Sequence, residues 1–384
     1  MPIAYSILFC HFLAAFSALG MPLFIPRMLD WLAPEAPQYS TGLLFVLPSV
    51  CTALAAPLWG RFADRYGKRT SLLRAQLGLA AGFLLSGFAT TLPAFALGLV
   101  IQGLCGGTLA ASNAYLATRQ RGEQLAKSLN MTQLSARLAL ISGPIAIGSL
   151  MLWQNPLVIY RLLALLPLAA FALTLSLPKD ATTGTPTTPS PRTEAGASLD
   201  PLLLLQFLFC FAMVVTFPYF LPFAESSGLS HQGLIGFLYS LPHLVYILLV
   251  IPIGRLRWSA SVLTLLGMVM LAASCLGHYW LRGEPFALPL MRLLFGLGIT
   301  AGYVGINRLL SARVNPGQAG RFFGRMDAMG KWAGVLAGIG AAVLVRGEQF
   351  HSPFLLGAAG ACLGTLIIPS LRKSELFNDE PEPC

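Results

Sequence analysis

Four basic side chains lie inside apolar runs of this sequence: Arg137, Arg161, Arg292 and Lys331. No acid lies in the middle of any such run; Asp30, Glu225 and Asp327 are the nearest, at run ends. A charge held in hydrocarbon costs at least ~2.5–3.5 kcal/mol, so each base needs a partner or a wet cavity. With the acids missing, an anionic ligand is the natural partner. Polar side chains accompany the bases at helical spacing. Arg292, Gly296, Thr300, Tyr303 and Asn307 share one face; Gln102, Gly106 and Asn113 share another; Asn130, Gln133 and Arg137 a third. Tyr219, in an aromatic and proline-rich stretch, joins the binding candidates. His11 and His243 are deeply placed groups that titrate near neutral pH and could carry a proton. Asp30 and Glu225 are weaker candidates for that task. Each residue also has a plainer reading. Arg161 and Arg292 could snorkel to the outer face, Lys331 could pair with Asp327, and either histidine could simply bond a neighbouring helix.

The elements that must position these groups follow from composition. The 384 residues are 55% hydrophobic and only 10% charged, against roughly 25% charged in a soluble domain. A membrane span needs about 20 apolar residues. Twelve runs qualify, near 3–26, 40–60, 71–91, 93–116, 127–152, 156–177, 201–222, 231–254, 259–280, 286–310, 326–346 and 352–371. Rich in Leu, Ala and Gly without dyad alternation, they read as helices and not barrel strands. The first run lacks a basic flank and a small-residue cleavage site, so it is expected to be span one. Cys10, Cys51, Cys105, Cys210, Cys275 and Cys362 read as small hydrophobes, and no cysteine pair has metal-ligand spacing.

Lys and Arg fix the expected orientation. With the N-terminus inside, the inner loops and span ends hold nearly all the bases, Arg61 to Arg74, Arg192 and Arg308 to Arg325 among them. The outer side holds only Arg27, Arg282 and Arg346. Both termini are then cytoplasmic, and the net charge of +10 is mostly this topological bias. No nucleic-acid motif accompanies it.

The polar stretch 179–200, rich in Thr, Pro, Ser and Gly, reads as a cytoplasmic linker. It divides the chain into an N-terminal six-helix bundle (1–178) and a C-terminal one (201–372), followed by a cytoplasmic tail (373–384). The halves echo each other. "MPLFIP" (21–26) pairs with "FPYFLP" (217–222), Pro48 and Gly60 with Pro242 and Gly254, and "QGLCGG" (102–107) with "FGLGIT" (295–300). Repeated six-helix halves holding a solute near the midplane are a transporter architecture.

Between spans two and three, "GRFADRYGKR" (60–69) packs Arg61, Asp64, Arg65, Lys68 and Arg69 into nine positions. It resembles the G-x-x-x-D-R-x-G-x-[KR] signature of the major facilitator superfamily, matched by Gly60, Asp64, Arg65, Gly67 and Arg69. The resemblance implies an all-α membrane fold of twelve helices in two pseudo-symmetric bundles. It also implies a gating role for this loop: the Asp64 carboxylate faces the positive N-terminal end of span eleven, here expected near Arg325 to Ala328, with Asp327 close by. The second-half copy, "GRLRWS" (254–259), lacks the acid. In span five, Gly143 and Pro144 of "ARLALISGPIAIGSL" (136–150) resemble the helix-kink motif of the superfamily's antiporters. The usual drug-antiporter arginine of span four is absent, since Leu99 stands three residues before Gln102 and Gly103.

These readings combine into a secondary transporter, not an enzyme: a proton-coupled exporter of a small anionic solute, such as a carboxylate siderophore or metallophore, by alternating access. A multidrug efflux antiporter and proton-coupled uptake of an organic anion are the alternatives. The expected partners are the anionic substrate, protons and the lipid bilayer. No cofactor, metal or nucleic acid is called for. A monomer in the inner (cytoplasmic) membrane is expected. The absence of nucleophile motifs and phosphate loops argues against a membrane enzyme or sensor.

Overall fold

A computed structural model describes residues 3–37, 39–150, 155–180, 200–282, 284–345 and 349–376. Most of the expected linker and tail, with Arg192 and Arg346, lie outside the described residues. Among those described there is no strand. The helices are α1 (Ile3–Gly20), α2 (Ile25–Leu32), α3 (Tyr39–Tyr66), α4 (Lys68–Gly87), α5 (Leu92–Cys105), α6 (Thr108–Ala117), α7 (Gly122–Leu150), α8 (Val158–Leu163), α9 (Leu165–Leu175), α10 (Pro201–Val214), α11 (Phe220–Ser226), α12 (Gln232–Gly254), α13 (Ala260–Trp280), α14 (Leu288–Arg313), α15 (Ala319–Leu344) and α16 (Ser352–Leu376). Among the described residues, nine stretches are long and apolar enough to cross a membrane. The helices α4, α7 and α15 have 20, 29 and 26 residues and carry the charged stretches of the sequence; they complete the twelve spans. The chain is an all-α, twelve-helix membrane protein.

The described residues form two compact units. Among the described residues, one comprises those up to 180 together with 313–331; the other comprises those in 200–312 and 332–376. The segment 313–331, which the sequence assigns to the second half, packs with the first unit.

Prolines set the same break in each unit. Pro22 opens a single 3-10 turn, Pro22–Phe24, between α1 and α2. Pro218 lies in the matching turn, Phe217–Tyr219, ahead of α11. Proline lacks the N–H that a continuing helix needs, so the α-helical ladder stops there. Span four breaks by another route. Gly107 adopts φ +87°, a conformation only glycine takes without strain, and separates α5 from α6.

Close helix crossings also recur. A Cβ on Gly103 would lie 2.5 Å from the Pro48 carbonyl oxygen, and one on Gly296 would lie 2.9 Å from Pro242 Cα. The Thr52 hydroxyl bridges the first crossing, 2.8 Å from Pro48 O and 3.0 Å from Gly103 O. In the first unit Gly20 and Gly143 face each other, a Cβ on Gly143 falling 3.1 Å from Gly20 Cα. The glycine of the span-five motif thus lets α7 approach α1, while α7 runs unbroken through Pro144.

Gly103→Val and Gly296→Val are each expected to destabilise the protein by about 1–3 kcal/mol or more, because the added atoms meet backbone that cannot rotate away. Thermal unfolding of the purified protein in detergent checks this; an unchanged midpoint for both would contradict the close crossings.

Candidate functional site

The first unit gathers buried polar groups from spans one, four and five. His11 Nδ1 lies 2.6 Å from Ser135 Oγ, which donates to Thr132 O at 2.8 Å. Thr132 Oγ1 reaches Asn113 Oδ1 at 3.0 Å. His11, Asn113, Asn130 and Arg137 are all buried. The chain joins Asn113 of the span-four face to Thr132 and Ser135 of α7. Arg137, at 4% exposure, is on the same helix, two residues beyond Ser135 and so on the opposite face, with Asn130 and Gln133. Gln133 is half-buried. Gln102 behaves differently. Its amide donates to Ser86 Oγ of α4 at 3.1 Å, so it joins spans three and four.

At the charged end of this unit, Asp64 sits at the N-terminus of α15. Its Oδ1 accepts from Gly320 N at 2.8 Å and its Oδ2 from Arg321 N at 3.0 Å. Lys68 Nζ lies 3.3 Å from Asp64 Oδ1, and Arg321 Nε lies 3.8 Å from Oδ2. Both Asp64 and Lys68 side chains are over nine-tenths buried. The helix-end partner therefore begins at Ala319, about two turns before the expected Arg325 to Ala328. The reason is that Asn315 caps a short Pro316–Gln318 turn and starts the helix early. Asp327 lies on α15 beyond this contact and feels the ammonium of Lys331, one turn on. Glycines make the approach possible. A Cβ on Gly60 would meet Gly320 O at 2.5 Å, and one on Gly324 would meet Ala56 O at 2.6 Å. Gly67, at φ +98°, turns the chain into α4. Arg65 is exposed beside Tyr66, whereas Arg69 folds back onto the Thr174 and Leu175 carbonyls.

In the second unit Arg292 is fully buried. Its Nε donates to Leu238 O and its Nη2 to Tyr239 O, both at 2.9 Å. Leu238 O is the carbonyl left without a helix donor by Pro242 four residues on. The guanidinium also lies 4.1 Å from the Phe220 ring centroid and 5.5 Å from that of Phe217. In this structure Arg292, expected from the sequence as a solute ligand, has no exposed surface and joins spans eight and ten beside Pro242. Arg161 does not snorkel either. Its Nε donates to Gly87 O at 2.6 Å and its charge lies 4.4 Å from the Phe88 ring centroid, closing the end of α4.

His243 stacks on Phe217, 5.4 Å between centroids and 9° from parallel. Tyr303 packs edge-on against Phe209 and Tyr246 and Asn307 is buried, while Tyr219 stacks on Phe350. Asp30 and Glu225 are exposed. One buried histidine was missed. His278, near the end of α13, is 1% exposed and stacks on Phe354 at 4.6 Å. Its position near a run end hid it; the aromatic neighbours come from α11 and α16, far away in sequence. Among the described residues no cluster of His, Cys, Asp or Glu could hold a metal ion.

Nine apolar stretches and three further helices with charged stretches, a proline break repeated in spans one and seven, and a charged loop fixed to a helix end are those of a multi-pass membrane protein. The family model of the Major Facilitator Superfamily matches residues 7–242 and 202–383, and the chain belongs to that superfamily. It is a transporter, not an enzyme. A Staphyloferrin B transporter of Staphylococcus aureus (strain NCTC 8325 / PS 47) is 34% identical over 111 residues, 29% of this chain and 27% of that protein. Multidrug resistance protein MdtG of Citrobacter koseri is 31% identical over 169 residues, 43% of this chain and 41% of that protein. The matches thus span well under half the length of these curated relatives. Among solved structures, a bacterial homologue of the iron transporter ferroportin in the outward-facing state aligns with a TM-score of 0.79 at 15% identity, covering 97% of this chain and 100% of that one. The human organic anion transporter MFSD10 aligns at 0.76 and 17% identity, covering 95% and 98%. These two likenesses concern the fold.

Arg292→Ala is expected to strand the Leu238 carbonyl and cost about 1–3 kcal/mol. Arg292→Lys, which keeps the charge but loses the planar fork, should recover only part of that. Thermal unfolding of both variants measures it; full stability in Arg292→Ala would remove the staple reading.

Proposed function

We propose that this protein is a proton-coupled exporter of a small anionic solute, of the carboxylate siderophore or metallophore kind, working by alternating access. In this reading it sits in the inner membrane as a monomer with both termini cytoplasmic. The observation that carries it is Arg137, over nine-tenths buried on span five, with Asn130 and Gln133 at helical spacing on the same face. A cation at this depth favours an anionic partner and opposes a cationic one. Arg161 and Arg292 donate to backbone carbonyls; Arg137 and Lys331 are the bases proposed to attract the solute's charge. His11, bonded to Ser135 across two spans, is the preferred proton carrier; His243, Asp30 and Glu225 are the others. Gln133, Asn113, Tyr303, Asn307 and Tyr219 complete the proposed solute contacts. The relative named a Staphyloferrin B transporter supports a solute of the siderophore kind. The relatives named multidrug resistance proteins favour a second reading, multidrug efflux.

The Asp64 contact supplies the gate. A carboxylate bonded to the N–H groups of a helix end gains from the helix dipole as well as from the two hydrogen bonds. Such a contact exists only while the two elements touch, so it biases one of two states. It is proposed to act as the cytoplasmic latch of the transport cycle.

Arg137→Ala is expected to weaken binding of carboxylate-bearing solutes about tenfold or more, with Arg137→Lys in between, and affinity should fall as salt rises. Direct binding at two ionic strengths checks this; preference for lipophilic cations with no salt effect would instead favour multidrug efflux. Asp64→Asn should fold normally, transport poorly and open more readily to the cytoplasm, as read by cysteine alkylation. Unchanged transport and alkylation would sink the latch.

A further inference from the structure

The end of span six is tied to the signature loop by a run of directed bonds. Arg69 Nε donates to Thr174 O at 3.2 Å and Arg69 Nη2 donates to Leu175 O. Tyr115 Oη donates to Pro178 O at 2.7 Å, and Arg119 Nη2 to Lys179 O at 3.1 Å. Asp180 comes next and turns back toward α4. Its carboxylate accepts from the backbone N–H of Lys68, and from that of Arg69 at 3.1 Å. These are the first two N–H groups of α4, which has no side-chain cap of its own at Gly67. The first N–H groups of a helix lack intrahelical partners, so a carboxylate there stabilises the helix start.

Lys68 is the residue through which this cap reaches the gate. Its backbone is held by Asp180. Its ammonium, 112 residues away from Asp180 in sequence, is 3.3 Å from Asp64 Oδ1 and 3.3 Å from Gly317 O. Asp64 in turn caps α15. Two carboxylates therefore cap two helices at the same end of the unit, and one buried lysine joins them.

We propose that Asp180 is a positioning residue for the latch. It fixes the first turn of α4 so that the Lys68 ammonium stays between Asp64 and the turn that starts α15. Without it, the first N–H groups of α4 lose their acceptor and the turn frays. Lys68 then loses its fixed position, and Asp64 holds the α15 end without its buried counter-ion. This inference rests on the latch reading of Asp64 given above. A residue that only anchors span six would affect unfolding but not the opening of the gate.

The test uses the full-length protein with Cys10, Cys51, Cys105, Cys210, Cys275, Cys362 and Cys384 replaced, and one reporter cysteine introduced as Ala111→Cys. Ala111 is 4% exposed and lines the crevice beneath this contact together with Thr52, Ala55, Gly60, Gly320 and Gly324. Maleimide alkylation of membrane vesicles gives the rate. Asp64→Asn should raise that rate about fivefold or more, and Asp180→Ala about threefold or more. The double variant should be no faster than Asp64→Asn alone, because both act along one chain of contacts. An Asp180→Ala rate equal to that of the parent, or a double variant showing the full product of the two effects, overturns the proposal while leaving the latch intact. No change in Asp64→Asn overturns the latch, and this inference with it. If Asp180→Ala does not reach the membrane, Asp180→Asn keeps an acceptor oxygen without the charge and should show the same rise in smaller measure; its absence counts equally against the proposal.

Discussion

Every backbone carbonyl that a helix end or a proline leaves without a donor must find one inside the protein, because lipid offers none. That constraint organises much of this structure. Arg292 serves the carbonyls of Leu238 and Tyr239 at the Pro242 kink, and Arg161 serves Gly87 at the end of α4. Arg74 reaches Cys105 and Gly106 at 2.7 and 3.0 Å, where span four breaks, with its guanidinium 3.7 Å from the Trp59 ring centroid. Arg308 gathers Gly254, Leu256 and Trp258 at the end of α12. Arginine suits the task because its planar fork donates several directed bonds while staying charged. Aromatic rings beside Arg74, Arg161 and Arg292 stabilise the charge without competing for those bonds.

The donors at helix starts pose the mirror problem, and carboxylates solve it. Asp64 and Asp180 each accept from the first N–H groups of a helix distant in sequence. A polar contact of this kind is directional and short-ranged, so it is made or unmade as a unit. Glycines at 60, 320 and 324 allow backbone to meet backbone there, and any larger side chain would hold the helices apart. Tight, small-residue packing and a charge-capped helix end together give a contact that can hold one state and still release.

Between the breaks and the charged loops lies the polar chain of spans one, four and five. It is buried and hydrogen-bonded. The superfamily fold constrains which helices can contribute and leaves the identity of the solute to the side chains placed on them.

The sequence alone determined the twelve spans, the six-plus-six repeat and the signature loop, since these depend on local hydropathy and on Gly and Pro at fixed spacing. The matching of the Pro22 and Pro218 stretches was legible for the same reason, and Gly60, Asp64 and Gly67 were picked out by their resemblance to the superfamily signature; that the prolines interrupt the helices was not. What each buried charge does was not legible. Arg292 and Arg137 look alike in sequence, each a base among apolar residues. Only the fold shows that Arg292 donates to the Leu238 carbonyl freed by Pro242, 50 residues earlier, while Arg137 is buried on α7. Asp180 looked like the first residues of a linker, and tertiary structure turned it onto Lys68. Periodicity reports which face of a helix a side chain occupies. The partner across that face belongs to another helix, and only packing chooses it.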